Sequence, residues 1–361
     1  MTEHATPELP PLDQRIVAPE RPTVPRHPDV AEWRPAAESD IDALMVLTRA
    51  LDGADHPTWT TAREEVADQF DTPFIDPATD SLIGLDGEGR IVAVAWAELA
   101  PGRETRVQAY AFGGVHPELR GRGIGRQVMQ WAAERCLQRM AETRSTLPAW
   151  LLVYEEESNT AAIRLAERRG MRLERYFTSM ERVLADPIPQ IPIADELRVI
   201  AYTPALTEAA RAARNDAFRD HWGSQPSAPE RWQQFVGGEL FRDDLSFVII
   251  ERADADGPGV TDVLGVPVRI VAFALGSVNE EDWEVQGFSS VYIDLIGVAR
   301  HRRRQRLAPA AIAALLQAAR DAGLERAILD VDTASPTGAH TLYEGMGFRP
   351  TERSVALVEE F

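Results

Sequence analysis

Residues 115–125 read VHPELRGRGIG, and the run Arg120, Gly121, Arg122, Gly123, Ile124, Gly125, Arg126 poses a chemical question. A tight turn needs one glycine. Three, interleaved with arginines, mean that something must come close to the backbone. The segment before it, RVQAYAFGG, has the composition of a strand, and the segment after it, RQVMQWAAERC, has the pattern of a helix. A strand that ends in a glycine-rich turn at a helix N-terminus is an anion site. The first helical N–H groups have no partner within the helix, and the aligned peptide dipoles add roughly half a positive charge there. Without Cβ atoms at Gly121, Gly123 and Gly125 an anion can reach those N–H groups, and Arg120, Arg122 and Arg126 add charge beside them. A diphosphate is the natural guest.

Several chemistries that use such a loop are excluded. A dinucleotide fingerprint GxGxxG beginning at Gly121 needs glycine at position 126, where Arg126 stands. The chain contains no lysine, so neither a GK[ST] phosphate loop nor Schiff-base chemistry is open to it. The seven histidines are scattered, with no HExxH or CxxC, and no metal site is expected.

The elements that must hold the loop repeat along the chain. Before it come the strands EWRPA, DSLIGLD, RIVAVAWAELA and RVQAYAFGGV, with the helices ESDIDALMVLTRAL and TTAREEVADQF between the first two. After it come a long helix, the strand AWLLVYEEE, the helix NTAAIRLAERRG and the strand YFTSMERVL. The stretch LADPIPQIPIADE, residues 184–196, has three prolines and reads as a linker, with residues 185–196 as its body. Beyond it the same order returns, from LRVIAYT to RSVALVEEF, as expected of an internal duplication. Strands in succession followed by strand–helix alternation predict an α/β fold of the α+β type, with a mixed sheet flanked by helices in each half. In the long helices Ile124, Val128, Ala132, Cys136 and Met140 form one core stripe, and Ala308, Ile312, Leu315, Leu316 and Ala319 are expected to form the other. Cys136 is read as a small buried hydrophobe. Residues 1–29 are proline-rich and predict an extended arm.

The spacing that fits the loop is [Q/R]xxGx[G/A], here Arg120, Gly123 and Gly125, preceded by Val115. With it the sequence resembles the GNAT superfamily of acyl-CoA-dependent N-acyltransferases, in which this loop binds the coenzyme A pyrophosphate. The downstream family pattern NxxAxxLYxxxGF is matched by Asn159, Ala162, Leu165 and Gly170, with Ala166 in the tyrosine position and Met171 for phenylalanine. The resemblance implies that Asn159 contacts the pantetheine side of the cofactor. It extends to both halves, as GNAT domains at residues 30–184 and 197–361, each with a mixed, mostly antiparallel sheet splayed between its fourth and fifth strands. This two-domain form is similar to the tandem GNAT proteins that include mycothiol synthase.

The second half departs from the pattern in the opposite way. Aligning Val298 with Val115 puts Arg303 on Arg120, Arg306 on Gly123 and Ala308 on Gly125. The later pattern keeps Ala339, Leu342, Tyr343, Gly347 and Phe348, with Pro336 in place of the asparagine. The resemblance implies direct attack of an amine on acetyl-CoA, with a strand carboxylate as base and a tyrosine as acid. Asp294, in VYIDLIGV, and Tyr343 are the candidates, and the first half has Ala111 where Asp294 aligns. A carboxylate in an apolar strand is costly unless solvated, paired or used. Glu155, Glu156 and Glu157 end a strand of the first half and could line a substrate cleft, with a solvated charge cluster as the favoured reading. The first half keeps the cofactor loop without the tyrosine; the second keeps the tyrosine with an altered loop. Either half can be catalytic on this reading. A sensor or scaffold that binds acyl-CoA without turnover is the other class of function.

The formal net charge of −19 opposes binding to nucleic acid. No apolar run approaches the roughly 20 residues that span a bilayer. The N-terminus lacks the apolar core of a secretory signal, and one cysteine fits a reducing cytoplasm. The expected partner is a small-molecule amine, with no membrane, no metal, and a monomer or homodimer.

Overall fold

In the computed structural model, which describes residues 9–254, 257, 259–263, 265–334 and 338–361, the chain divides into two compact units. One comprises residues up to 175 together with 354–361, the other residues 176–353. Pro336 and residues 1–8 of the arm lie outside the described residues.

The first unit holds strands β1 (Glu32–Arg34), β2 (Ser81–Leu85), β3 (Ile91–Leu99), β4 (Val107–Val115) and β5 (Ala149–Glu156). Its helices are α1 (Leu12–Arg15), α2 (Ile41–Asp55), α3 (Arg63–Asp71), α4 (Pro77–Asp80), α5 (Ile124–Glu142) and α6 (Thr160–Arg169). Neighbouring strands from β1 to β4 are antiparallel. β4 and β5 are parallel, and their ladder runs only from Val107↔Ala149 to Tyr110↔Leu152. Beyond those rungs β4 continues to Val115 and β5 to Glu156, so the pair parts into a V.

The faces of β4 show how it is sandwiched. A Cβ on Gly113 would stand 2.9 Å from Val128 of α5, and one on Gly114 would stand 2.4 Å from Leu51 of α2. Glycine at both positions lets a helix close on each face. The stripe Ile124, Val128, Ala132, Cys136 and Met140 is buried as its spacing predicts. The Cys136 thiol donates to the Tyr110 carbonyl at 3.3 Å, and burial pushes its pKa up, so it stays a thiol.

The second unit repeats the plan. Its strands are β6 (Arg172–Val183, from residue 176), β7 (Arg198–Ala201), β8 (Phe247–Arg252), β9 (Val260–Val263), β10 (Val266–Ser277), β11 (Ser290–Val298) and β12 (Arg326–Asp332). Its helices are α7 (Thr207–Ala217), α8 (Pro229–Gly237), α9 (Asp282–Gln286), α10 (Leu307–Asp321) and α11 (Ala339–Gly345). β7, β8, β10 and β11 pair antiparallel in that order, with β9 on β10. β11 and β12 are parallel for only three rungs, Ser290↔Arg326 to Tyr292↔Ile328, and then part as β4 and β5 do. The buried stripe of α10 is Leu307, Ala311, Leu315 and Ala319 with Ile312 and Leu316, whereas Ala308 is half-buried. The expected stripe was one residue out at its start, because the loop before α10 ends at Arg306 and Leu307 is the first helical residue.

The division of the chain is not linear. The last strand, β13 (Arg349–Glu360), pairs through residues 354–360 with β5 of the first unit. β6, the last strand of the first half, pairs through Phe177–Val183 with β12 of the second. Each exchange covers the otherwise open edge of the parallel pair. The linker isoleucines Ile188, Ile191 and Ile193 pack on the second unit's core.

The described part of the arm, from residue 9, is docked. Leu12 and Ile16 are buried, and residues 12–29 run antiparallel to α5. Leu12 N–H donates to Ser145 O, Thr23 N–H to Glu134 and Arg26 N–H to Gln127, and the arm ends with Asp29 paired to Arg122 at 2.8 Å. Among the described residues no helix is long and apolar enough to cross a membrane.

One buried charge ties α4 to α5. Asp80 is fully buried and takes Arg135 Nε at 2.8 Å and Arg139 Nη1 on its two oxygens. Removing one member of such a cluster strands the others. The Asp80→Asn variant is expected to lose about 3–5 kcal/mol of stability in urea unfolding. A loss below about 1 kcal/mol would show that the two arginines find other partners.

Candidate active site

The loop that joins β4 to α5 has the conformation its glycines allow. Gly121 has φ +76° and Gly123, the N-cap of α5, has φ +96°. Both lie in the left-handed region that costs other residues about 1–2 kcal/mol. Nothing stands within 4 Å of where a Cβ would sit at either residue, so the Cβ side of the loop faces open space. Gly125 differs. It is helical, its φ is ordinary, and a Cβ would make plain contact with Leu165 at 3.5 Å. The two glycines that the loop demands are therefore 121 and 123.

The arginines divide by role. Arg120 grips Asp55, the last residue of α2, with both terminal nitrogens at 2.6 and 2.7 Å, and its Nε donates to Val115 O at 3.0 Å. It fastens the loop to α2. Arg122 pairs with Asp29 and donates to Glu118 O, while His27 Nε2 lies 3.1 Å from Arg122 O. Arg126 is exposed and has no ion-pair partner among the described residues. Val115 and Ile124 are buried and anchor the two ends of the loop.

Asn159 is the N-cap of α6. Its Oδ1 accepts from Ala162 N–H at 3.3 Å and its Nδ2 donates to Glu155 at 3.0 Å. Glu155 is not the solvated residue expected. It is half-buried near the end of β5, past the point where β4 and β5 part. Desolvation above all, then the Asp55 carboxylate, pushes its pKa up to about 8. The Asn159 donor and Arg120 act the other way and do not outweigh them. At neutral pH Glu155 is a neutral acid. The run of three glutamates did not single out Glu155, because Asn159 and Asp55 are brought to it only by the fold.

The second unit keeps the shape of the loop without its glycines. Arg304 and Arg306 have φ +64° and +58°, at the positions of Gly121 and Gly123. Arg303 pairs with Asp220 at 2.9 Å, as Arg120 does with Asp55. Arg304 and Arg306 are exposed and have no ion-pair partner among the described residues, so the Arg306 side chain turns to solvent. Two strained arginines are retained where relaxation would lose the shape.

Asp294 does not correspond to Ala111. In β10–β11 the register jumps from Leu275↔Leu295 to Gly276↔Ile293, so Asp294 is the additional residue of a β-bulge. Counted through the ladders, Tyr292 corresponds to Tyr110, and Ile293 to Ala111. β3–β4 runs unbroken from Ala93↔Val115 to Leu99↔Ala109, without a bulge. The signal was present in the sequence as a change of phase. Val291, Ile293, Ile296 and Val298 face the α10 core, while Leu295 belongs to the core on the other face. Ser277 Oγ donates to Asp294 Oδ1 at 3.2 Å. Tyr343, on α11, is buried, with its ring edge-on to Phe348 at 6.1 Å. Burial raises its pKa, so the hydroxyl keeps its proton. Its counterpart Ala166 is fully buried in the first unit. The structure thus places the residues from Val115 to Arg126 and Asn159 in the first unit, and Asp294 and Tyr343 in the second.

The chain is similar in sequence and fold to known proteins. The profile of the Acetyltransferase (GNAT) family matches residues 45–171 and again 207–348. A mycothiol acetyltransferase of Salinispora tropica is 28% identical over 318 residues, covering 86% of this chain and 90% of that protein. One from Thermobispora bispora is 29% identical over 241 residues, covering 65% and 70%. Among solved structures, a GCN5-related N-acetyltransferase from Sphaerobacter thermophilus aligns with a TM-score of 0.64 and 25% identity, covering 91% of this chain and 95% of that one. A tandem GNAT protein from the clavulanic acid biosynthesis pathway aligns with a TM-score of 0.60 at 16% identity, covering 91% and 98%, and shares the fold.

The protonation of Glu155 has a measurable consequence. Its folded pKa lies above that of an unfolded glutamate, so the folded chain holds an extra proton between the two values and stability falls as pH rises through that window. Glu155→Gln mimics the neutral acid. Its melting temperature should match the wild type near pH 4.5 and exceed it above about pH 8. A constant difference across that range would show that Glu155 ionises normally.

Proposed function

The chain belongs to the acetyltransferase (GNAT) family, and from that premise we propose that it acetylates the amine of a small molecule, with the second unit performing the chemistry. As a member of that family it is an N-acetyltransferase whose co-substrate is acetyl-CoA. The relatives named mycothiol acetyltransferase support a small-molecule acceptor.

The observation that carries the assignment is the bulge at Asp294. It lies two residues past the last rung between the parting strands β11 and β12. A bulge re-aims a side chain and turns a backbone N–H out of the ladder, where it can meet the developing oxyanion of a thioester under attack. On this reading Asp294 accepts the proton that the amine loses, directly or through one water. Tyr343, held neutral by burial, donates its proton to the departing thiolate. Direct transfer needs no covalent enzyme intermediate. Acid, base and thioester must share one cleft, so the second unit binds acetyl-CoA at the loop shaped by Arg304 and Arg306.

The first unit, in this account, binds acetyl-CoA without turning it over. The cradle at Gly121 and Gly123 fits a diphosphate, held by the N–H groups of residues 120–126, with the pantetheine arm passing the Asn159 end of α6. Ala166 in place of the tyrosine and the unbroken β3–β4 ladder favour binding without catalysis there.

Two variants separate these roles. Tyr343→Phe should lower kcat about a hundredfold, with KM for acetyl-CoA little changed, in a thiol-release assay on a panel of amines. Full turnover in that variant would move the chemistry to the first unit. Gly123→Val forces a β-branched residue into a left-handed position and should weaken one acetyl-CoA site about tenfold or more in calorimetry. Unchanged binding would place the cofactor elsewhere.

A further inference from the structure

Glu155 lies near the end of β5, hydrogen-bonded to the cap of α6 beside the first unit's loop, and the catalytic account does not use it. Its position is specific. Its strand neighbour across the β5–β13 ladder is Val355, which is apolar. From α6 it meets Asn159, whose amide donates to Oε2 at 3.0 Å. From α2 it meets the Asp55 carboxylate, and from the loop the Arg120 guanidinium; Glu156 adds a further negative charge on its own strand. Arg120 cannot serve Glu155 as a full counter-ion, because both its terminal nitrogens are already on Asp55. An ionised Glu155 would therefore face Asp55 and Glu156, compensated only by the Asn159 amide and by an Arg120 guanidinium already committed to Asp55.

We infer that Glu155 is a proton-carrying positioning residue of the first unit's cofactor cleft, which admits acetyl-CoA with Glu155 in the neutral form and loosens it when Glu155 ionises. The inference rests on the proposed binding of acetyl-CoA at residues 120–126. The guest brings a diphosphate to a loop whose arginine at position 120 is electrostatically coupled to Glu155. A negative charge on Glu155 opposes that arrival, and arrival of the guest in turn favours the proton. By linkage, affinity is level while Glu155 is protonated and falls once the pH passes its pKa, near 8 in the free protein. The carboxyl oxygen accepts from Asn159 in both forms, so the cap of α6 is kept and the effect is one of charge.

The test is calorimetric titration of the full chain with acetyl-CoA between about pH 6.5 and about pH 9. The first-unit site is identified as the binding that Gly123→Val removes. In the wild type its affinity should be level to about pH 7.5 and then fall by up to about tenfold per pH unit. Glu155→Gln, which keeps the acceptor for Asn159 and cannot ionise, should bind as the wild type does at low pH and lose the fall. Asp55→Asn removes the repelling carboxylate and frees Arg120, so the fall should start at lower pH. An unchanged fall in Glu155→Gln would overturn the role of Glu155 and leave the first-unit site standing. Binding that Gly123→Val does not touch would overturn the first-unit site, and the role of Glu155 with it.

Discussion

Everything in this protein depends on two parallel strand pairs that stop pairing. β4 and β5 hold together for four rungs, β11 and β12 for three, and then each pair opens. A parted pair gives up ladder hydrogen bonds, which a fold tolerates only when something else holds the strands. Here the outer strand of each pair is zipped along its other edge, β5 by residues 354–360 and β12 by Phe177–Val183. Those long antiparallel ladders make the opening affordable. The opening in turn gives a narrow guest access to backbone and side chains at the centre of a sheet, and it aims the end of β4 and of β11 at a helix N-terminus.

The two units use the same frame differently. In the first, the loop is relaxed, because glycines occupy its left-handed positions, and the strand beside it is regular. In the second, arginines hold the same left-handed positions under strain, and the strand carries a bulge with an aspartate in it. At the loop and the strand leading into it, strain and irregularity thus lie in the second unit, together with the tyrosine. Residues kept in costly conformations tend to be those a function over-determines. The first unit adds to its Asp55–Arg120 clamp the neutral Glu155 beside it.

Much of this was legible in the sequence. The spacing of Arg120, Gly123 and Gly125 located the loop that caps α5, and the five-residue stripe from Ile124 to Met140 located the helix behind it. The internal repeat was visible in the order of elements. What escaped is equally physical. The bulge at Asp294 changes the phase of an apolar alternation by one residue, and a gapless alignment paired Asp294 with Ala111. The exchange of β6 and β13 depends on long-range pairing, which no local pattern records. Glu155 looked like part of a solvated acidic run because Asp55, at the end of α2, reaches it only through long-range folding.

The central claim is that the second unit performs the transfer while the first holds acetyl-CoA without reacting it. A crystal structure of the chain with acetyl-CoA tests this most directly. The account predicts a diphosphate on the N–H groups of residues 120–126, and a second acetyl-CoA whose thioester lies between Asp294 and Tyr343. A structure with the second unit's cleft empty and the thioester reaching only first-unit residues would contradict it.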